Sequence, residues 1–213
     1  MKIIFDLDGT LICSKKRLHE LFCDLVKSRD LSFSSYWDLK FSGNSNQDIL
    51  KSRFNYTTDK INEFVSDWMR DIESDAYLEI DTLIDGAKDF LEEISQNNEL
   101  YICTARQSAS QATKQLENLA ISNYFQEVFV TEQILTKEEL LINSGLKFNK
   151  QDWFIGDTGH DVITGKKIGT KACAVLSGFM SEAILSSYSP DLMIKNITFF
   201  KSVSILSLCF INF

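Results

Sequence analysis

The 213 residues carry 30 acidic against 22 basic side chains, a formal net charge of −8, and 44% are hydrophobic. A chain of this length and apolar content fills a real core, as one domain with an insertion or as two small ones, and its acidic balance offers no basic surface for gripping a nucleic-acid backbone. Clustered carboxylates in such a chain repel one another unless a cation sits among them, which points to a divalent metal.

Met1 to Phe5 reads as a short apolar strand of central-sheet character, ending in Asp6-Leu7-Asp8-Gly9-Thr10-Leu11. Arg17 to Arg29 places Leu18, Leu21, Phe22, Leu25 and Val26 at helical spacing. Ser45, with Asp48 three residues on, opens a second helix, and Thr58 to Ser74 a third with Ile61, Phe64, Val65, Trp68, Met69 and Ile72. Residues 15–78 therefore read as all-helical.

From Asp85-Gly86 strands and helices alternate. The pattern predicts helix Ala87 to Ser95, strand Glu99 to Cys103, helix Ser108 to Ala120 with Ser108 and Gln111 as a capping box, and strand Glu127 to Val130. Helix Lys137 to Ser144, strand Asp152 to Ile155, helix His160 to Ile168, strand Lys171 to Leu176, helix Ser181 to Ser187 and strand Leu192 to Lys195 follow. Such repetition predicts an α/β fold: a doubly wound, Rossmann-like parallel sheet formed by residues 1–14 and 79–213, with residues 15–78 inserted as an all-helical cap domain. Pro190, the single proline, marks a loop.

The five cysteines (Cys13, Cys23, Cys103, Cys173, Cys209) are scattered without CxxC spacing, which predicts reduced thiols and a cytoplasmic location. The first strand begins at Met1, so no cleaved leader is expected. The apolar tail from Ile197 to Phe213 is interrupted by Lys201 and serines, short of the ~20 apolar residues that span a membrane. A last helix with a packed or frayed end, and no membrane association, is the expectation.

In an open parallel sheet the strand ends lie along one edge. That edge gathers Asp6 and Asp8; Thr104, Ala105 and Arg106; and Gly156-Asp157-Thr158-Gly159-His160-Asp161. Lys137, opening a helix after an apolar strand, adds a positive charge, with Lys147 and Lys150 as alternatives. Carboxylates, a hydroxyl, a lysine and glycine-flanked amides are what binding a phosphoryl group and a metal requires.

Four motifs in this order resemble the haloacid dehalogenase superfamily over nearly the whole chain: Asp6-Leu7-Asp8-Gly9-Thr10, Thr104, Lys137, and Gly156-Asp157 through Asp161. Placing the helices between the first and second motifs is similar to the phosphoglycolate phosphatase and β-phosphoglucomutase branch. The resemblance implies that Asp6 forms an aspartyl-phosphate and that Asp8 acts as general acid and base. It implies Mg²⁺ held by Asp6, Asp157 and the Asp8 carbonyl, with Asp161 as a second-shell or water-mediated partner. Thr104, Lys137 and the amides of Leu7, Gly9 and Thr10 would hold phosphoryl oxygens.

The aspartate at position 8 favours phosphate esters over halides and phosphonates, and Asn46, standing where the mutase branch carries a phosphate-binding arginine, favours hydrolysis over transfer. Lys40, Lys51 and Arg53 remain as substitutes for that arginine. Gly43 to Asn46 is the candidate specificity loop, and Ala105 and Arg106 are candidates for contact with a small phosphorylated metabolite. His160 is expected to be exposed or to cap a loop, and His19 to lie at the surface. A catalytically idle binding module is the alternative of another class, and it should have lost Asp6, Asp8 or Asp157.

Overall fold

The computed structural model describes residues 1–200. Among them the strands are β1 (Lys2–Phe5), β2 (Ile12–Cys13), β3 (Thr82–Leu83), β4 (Glu99–Thr104), β5 (Glu127–Val130), β6 (Trp153–Gly156), β7 (Lys171–Val175) and β8 (Leu192–Ile194). The helices are α1 (Lys15–Val26), α2 (Phe33–Phe41), α3 (Asn46–Phe54), α4 (Thr58–Asp71), α5 (Asp75–Leu78), α6 (Ala87–Ser95), α7 (Ala109–Asn118), α8 (Lys137–Asn143), α9 (Gly159–Lys167) and α10 (Glu182–Ser187).

Six strands pair in parallel in the order β5-β4-β1-β6-β7-β8, so the chain winds outward in both directions from β1 and β6. In β1, Ile3, Ile4 and Phe5 are fully buried, as a strand covered on both faces must be. Ile3 and Phe5 join a core with Phe90, Leu91 and Ile102 under α6, while Ile4 joins Tyr101, Phe129, Leu141 and Phe154 under α8. The doubly wound sheet expected from the alternation is present. Its carboxyl-terminal edge is where β1, β4 and β6 deliver their polar ends.

The helical stretch from α1 to α5 builds its own apolar cluster, in which Phe22 packs against Tyr36, Phe54 and Phe64 with ring centroids 5.0, 5.9 and 5.7 Å away. It contains α2, which the apolar spacing did not resolve because aromatic residues crowd more than one face. Two further short elements were missed. β2 and β3 pair antiparallel, Ile12 with Leu83 and Cys13 with Thr82, and so tie together the two ends of the helical stretch; two residues each are too few for an alternation to register. The first helix starts at Lys15 and stops at Val26 because Lys27 turns to φ 56°, bringing its amide to Asp24 O and that of Ser28 to Cys23 O.

His19 is not at the surface. It is buried, within 2.9 Å of the Leu31 carbonyl and edge-on to Phe33, because α1 turns that face toward α2. Among the described residues no helix is long and apolar enough to cross a membrane. Ile197 and Phe200 are buried in the core, and the rest of the apolar tail, with Cys209, lies outside the described residues.

Because Phe22 anchors three ring contacts at 1% exposure, Phe22→Ala is expected to cost about 3–5 kcal/mol, read as a lowered urea midpoint.

Candidate active site

A cavity of about 690 Å³ lies at the carboxyl-terminal edge of the sheet, walled by the core on one side and by α1 and α4 on the other. Asp6, Asp8, Thr104, Ala105, Arg106, Lys137, Asp157, His160 and Asp161 all line it. Residues spread over most of the chain meet there because each follows a parallel strand.

Asp6 directly follows β1 and is 6% exposed. Lys137 is the first residue of α8, whose start is fixed by a capping box between Thr136 and Glu139. From there its Nζ lies 2.6 Å from Asp6 Oδ1 and 2.6 Å from Asp161 Oδ1. Lys147 and Lys150 are exposed and line no part of the cavity, so the geometry selects Lys137. Asp161 is in turn placed by a capping box with Thr158 at the head of α9. One of its oxygens accepts from the Thr158 amide and hydroxyl at 3.0 and 2.6 Å, and the other accepts from Lys137.

Asp157 is fully buried, and its Oδ2 accepts from the Phe179 amide at 2.7 Å. Its carboxylate rests against two glycine backbones. A Cβ on Gly9, which takes φ 81°, would stand 2.5 Å from Oδ2, and one on Gly178 would overlap the carboxylate. Asp157 Oδ1 has no hydrogen-bond partner although it is buried. Single carboxylate oxygens of Asp6, Asp157 and Asp161 lie within 4.8 Å of one another. A buried acceptor without a donor, beside two more carboxylates, is the oxygen-rich environment that a hard divalent cation satisfies.

The protonation behaviour follows from the same crowding. Burial pushes the Asp6 carboxyl up to about 7, with Lys137 pulling it down and Asp161 pushing it further up. Burial and the charges of Asp6 and Asp161 raise Asp157 well above the carboxylate range. Burial pushes Lys137 down, but the Asp161 and Asp6 carboxylates outweigh it and hold the ammonium firmly protonated.

Asp8 belongs to a second network that the sequence did not reveal. Its carboxylate accepts from Ser14 Oγ and Arg17 Nη2, and from Arg106 Nε and Nη2 at 2.5 and 2.9 Å. Burial raises its carboxyl, but the Arg106 and Arg17 guanidiniums outweigh that effect and hold it well below the usual range. Arg17 also reaches Asp81 Oδ1 at 3.1 Å and the Ile72 carbonyl at 2.8 Å. Burial lifts Asp81 to about 6, with Arg17 opposing.

Thr104 ends β4 at 2% exposure. The proposed phosphate-contacting residues Leu7, Gly9 and Thr10 are not among those lining the cavity. Leu7 is buried, its carbonyl accepting from the Leu11 and Ile12 amides at 3.0 Å each, while the Gly9 amide donates to Ile12 O at 2.7 Å. The Gly9 amide is thus used in closing the turn. Gly43 is exposed and also away from the cavity; at φ 89° it ends α2, with its amide on the Lys40 carbonyl. Arg106 is buried against Asp8. Ser108 caps α7 without the reciprocal Gln111 bond, since its amide is taken by Glu73 Oε2 at 3.1 Å.

Residues 3–175 match the family model described as haloacid dehalogenase-like hydrolase. The chain is similar to pyrophosphatase PpaX of Oceanobacillus iheyensis, 24% identical over 205 residues that cover 92% of each chain. Among solved structures it resembles a haloacid dehalogenase-like family hydrolase from Streptococcus pneumoniae, at 26% identity and TM-score 0.75 with 97% of both chains covered. It also shares its fold with a predicted phosphoglycolate phosphatase from Haemophilus somnus, at 21% identity and TM-score 0.71 with 95% and 96% covered.

If the Asp157 oxygen without a donor marks a cation site, Mg²⁺ will raise the thermal midpoint, equivalent to about 2.7 kcal/mol at a hundredfold excess over its Kd. Asp157→Asn should lose that increment; an equal rise in the variant would remove Asp157 from the site.

Proposed function

The chain belongs to the haloacid dehalogenase-like hydrolase family; on that premise we propose that it is a phosphatase, which hydrolyses a small phosphorylated metabolite through an aspartyl-phosphate on Asp6. The observation that carries this reading is the position of Asp6. It sits at a cavity wall, 2.6 Å from the Lys137 ammonium, beside the Asp157 and Asp161 carboxylates and two residues before a held second acid.

An Asp6 oxygen attacks phosphorus, and the phosphoryl oxygens, on which charge builds, are met by the Lys137 ammonium and the Thr104 hydroxyl. Mg²⁺, held by Asp6, Asp157 and the Asp8 carbonyl with Asp161 in support, would supply further neutralisation of that charge. Asp8 gives a proton to the leaving oxygen and later takes one from the water that hydrolyses the acyl phosphate. With two guanidiniums holding it ionised, Asp8 is ready for the second task. For the first it must take up a proton as substrate binds, and Oδ2, which among the described residues accepts only from Arg106 Nε, is the oxygen open to it.

Residues 15–78 act as the cap that closes the cavity and excludes water. Phe179, whose amide holds Asp157, stacks on Trp37 of α2 at 5.7 Å and 15°, which supports a direct contact between cap and metal site. Hydrolysis is preferred to phosphate migration because a mutase needs a second phosphate reader in the cap. Asn46 is tied to Tyr36 Oη at 2.8 Å, Lys51 and Arg53 are exposed, and neither these nor Lys40 line the cavity. The free thiols Cys13, Cys23, Cys103 and Cys173 support a reducing, cytoplasmic setting.

With p-nitrophenyl phosphate and Mg²⁺, the protein is expected to release phosphate, Asp6→Asn to release none above background, and Asp8→Asn, which lacks the base that activates the hydrolytic water, to turn over about 10²–10⁴-fold more slowly. Metal-dependent turnover surviving in Asp6→Asn would remove the nucleophile.

A further inference from the structure

The two oxygens of Asp8 are held unequally. Oδ1 accepts from three donors on three segments: Ser14 Oγ before α1, Arg17 Nη2 within α1, and Arg106 Nη2 after β4 at 2.9 Å. Among the described residues, Oδ2 accepts from Arg106 Nε alone, at 2.5 Å. The Arg17 and Arg106 side chains are 3% exposed and that of Asp81 is not exposed, while the Asp8 side chain is 18% exposed. The network is sealed behind Asp8 and opens toward the cavity through it. Arg17 is held at every guanidinium nitrogen, with Nε and Nη1 on Asp81 Oδ1 and the Ile72 carbonyl.

We propose that Arg17 is a positioning residue for the proton transfer, fixing Oδ1 of Asp8 so that Oδ2 is presented to the leaving oxygen of the substrate. This rests on the phosphatase reading above. In the first step an Asp6 oxygen forms a bond to phosphorus, the ester P–O bond breaks with its electron pair going to the leaving oxygen, and that oxygen takes the proton from Oδ2. A carboxyl freed from its anchor spends less time in line with that oxygen, and small misplacements of this kind cost orders of magnitude. The loss depends on the leaving group. An alkoxide needs the proton to depart, whereas p-nitrophenolate leaves without it.

The test compares kcat/KM, which reports the steps through leaving-group departure, for ethyl phosphate and p-nitrophenyl phosphate. The proteins are the full-length wild type, Arg17→Gln, Arg17→Lys and Ser14→Ala, each with its thermal midpoint recorded. Loss of Arg17 is expected to lower kcat/KM for ethyl phosphate about 10–100-fold more than for p-nitrophenyl phosphate. Arg17→Lys should recover part of the difference, and Ser14→Ala should show it in smaller measure. Should Arg17→Gln fail to fold, Arg17→Lys and Ser14→Ala decide alone, because Lys keeps the charge opposite Asp81 and Ser14 carries none. A fall by the same factor on both esters, or no fall, would reduce Arg17 to a packing role and overturn the proposal while leaving the phosphatase reading intact. Absence of wild-type turnover on both esters would overturn the reading and the proposal together.

Discussion

Three carboxylates packed within 4.8 Å at the closed end of a parallel sheet are the constraint that the rest of the site answers. Two like charges 4 Å apart repel by about 4 kcal/mol even at an effective dielectric of about 20, and among the described residues Lys137 is the ammonium that hydrogen-bonds this cluster. Lys137 lies 2.6 Å from two of the three acids, so its position as first residue of α8 is dictated by charge as much as by helix geometry. The third acid, Asp157, is left with the Phe179 amide on one oxygen and nothing on the other. Burial and mutual repulsion push Asp6 and Asp157 upward, and one more positive charge among them would relieve both.

Local rules of helix capping do much of this placement. Asp161 is at once the third residue of a capping box and an ion-pair partner of Lys137, one oxygen assigned to each duty. With Oδ2 taken by Thr158 and Oδ1 by Lys137, Asp161 is less free than Asp157 to ligate a cation directly. Glu73, from the segment after α4, accepts from the Gln107 and Ser108 amides at 2.7 and 3.1 Å and fixes the loop that carries Thr104 and Arg106. A side chain of the helical stretch thereby completes the start of a core helix.

What the sequence revealed follows from what repeats. Strand and helix alternation, and polar residues at the ends of apolar strands, are periodic or positional signals, and they placed Asp6, Thr104, Asp157 and Asp161 on one edge before any coordinates. Lys137 was separated from Lys147 and Lys150 only by its place at a helix start, and the structure supplies the geometric reason. Arg17 was not legible: in a helical wheel it is an ordinary polar residue, and only the fold shows that its face turns onto Asp8 and Asp81. Gly43 was misread for the opposite cause. A glycine in a polar loop suggests ligand contact, but its positive φ serves to stop α2. His19 failed because one titratable residue on an amphipathic helix carries no sign of which side is buried.

Arg17 links the chemistry to the architecture. The helical stretch leaves and rejoins the sheet through the β2 and β3 pair, and Arg17 spans the same junction one turn further out, from Asp8 before the stretch to Ile72 and Asp81 near its end. A shift of the helices against the core would therefore reach the carboxyl of Asp8 through a guanidinium, whereas Asp6 pairs with Lys137 of the core. Asp8 is thus tied to both parts of the molecule, through Arg17 to the helical stretch and through Arg106 to the core, although Asp6 lies only two residues away. On the phosphatase reading proposed above, the tie through Arg17 would give closure over a substrate a route to the carboxyl that donates the proton.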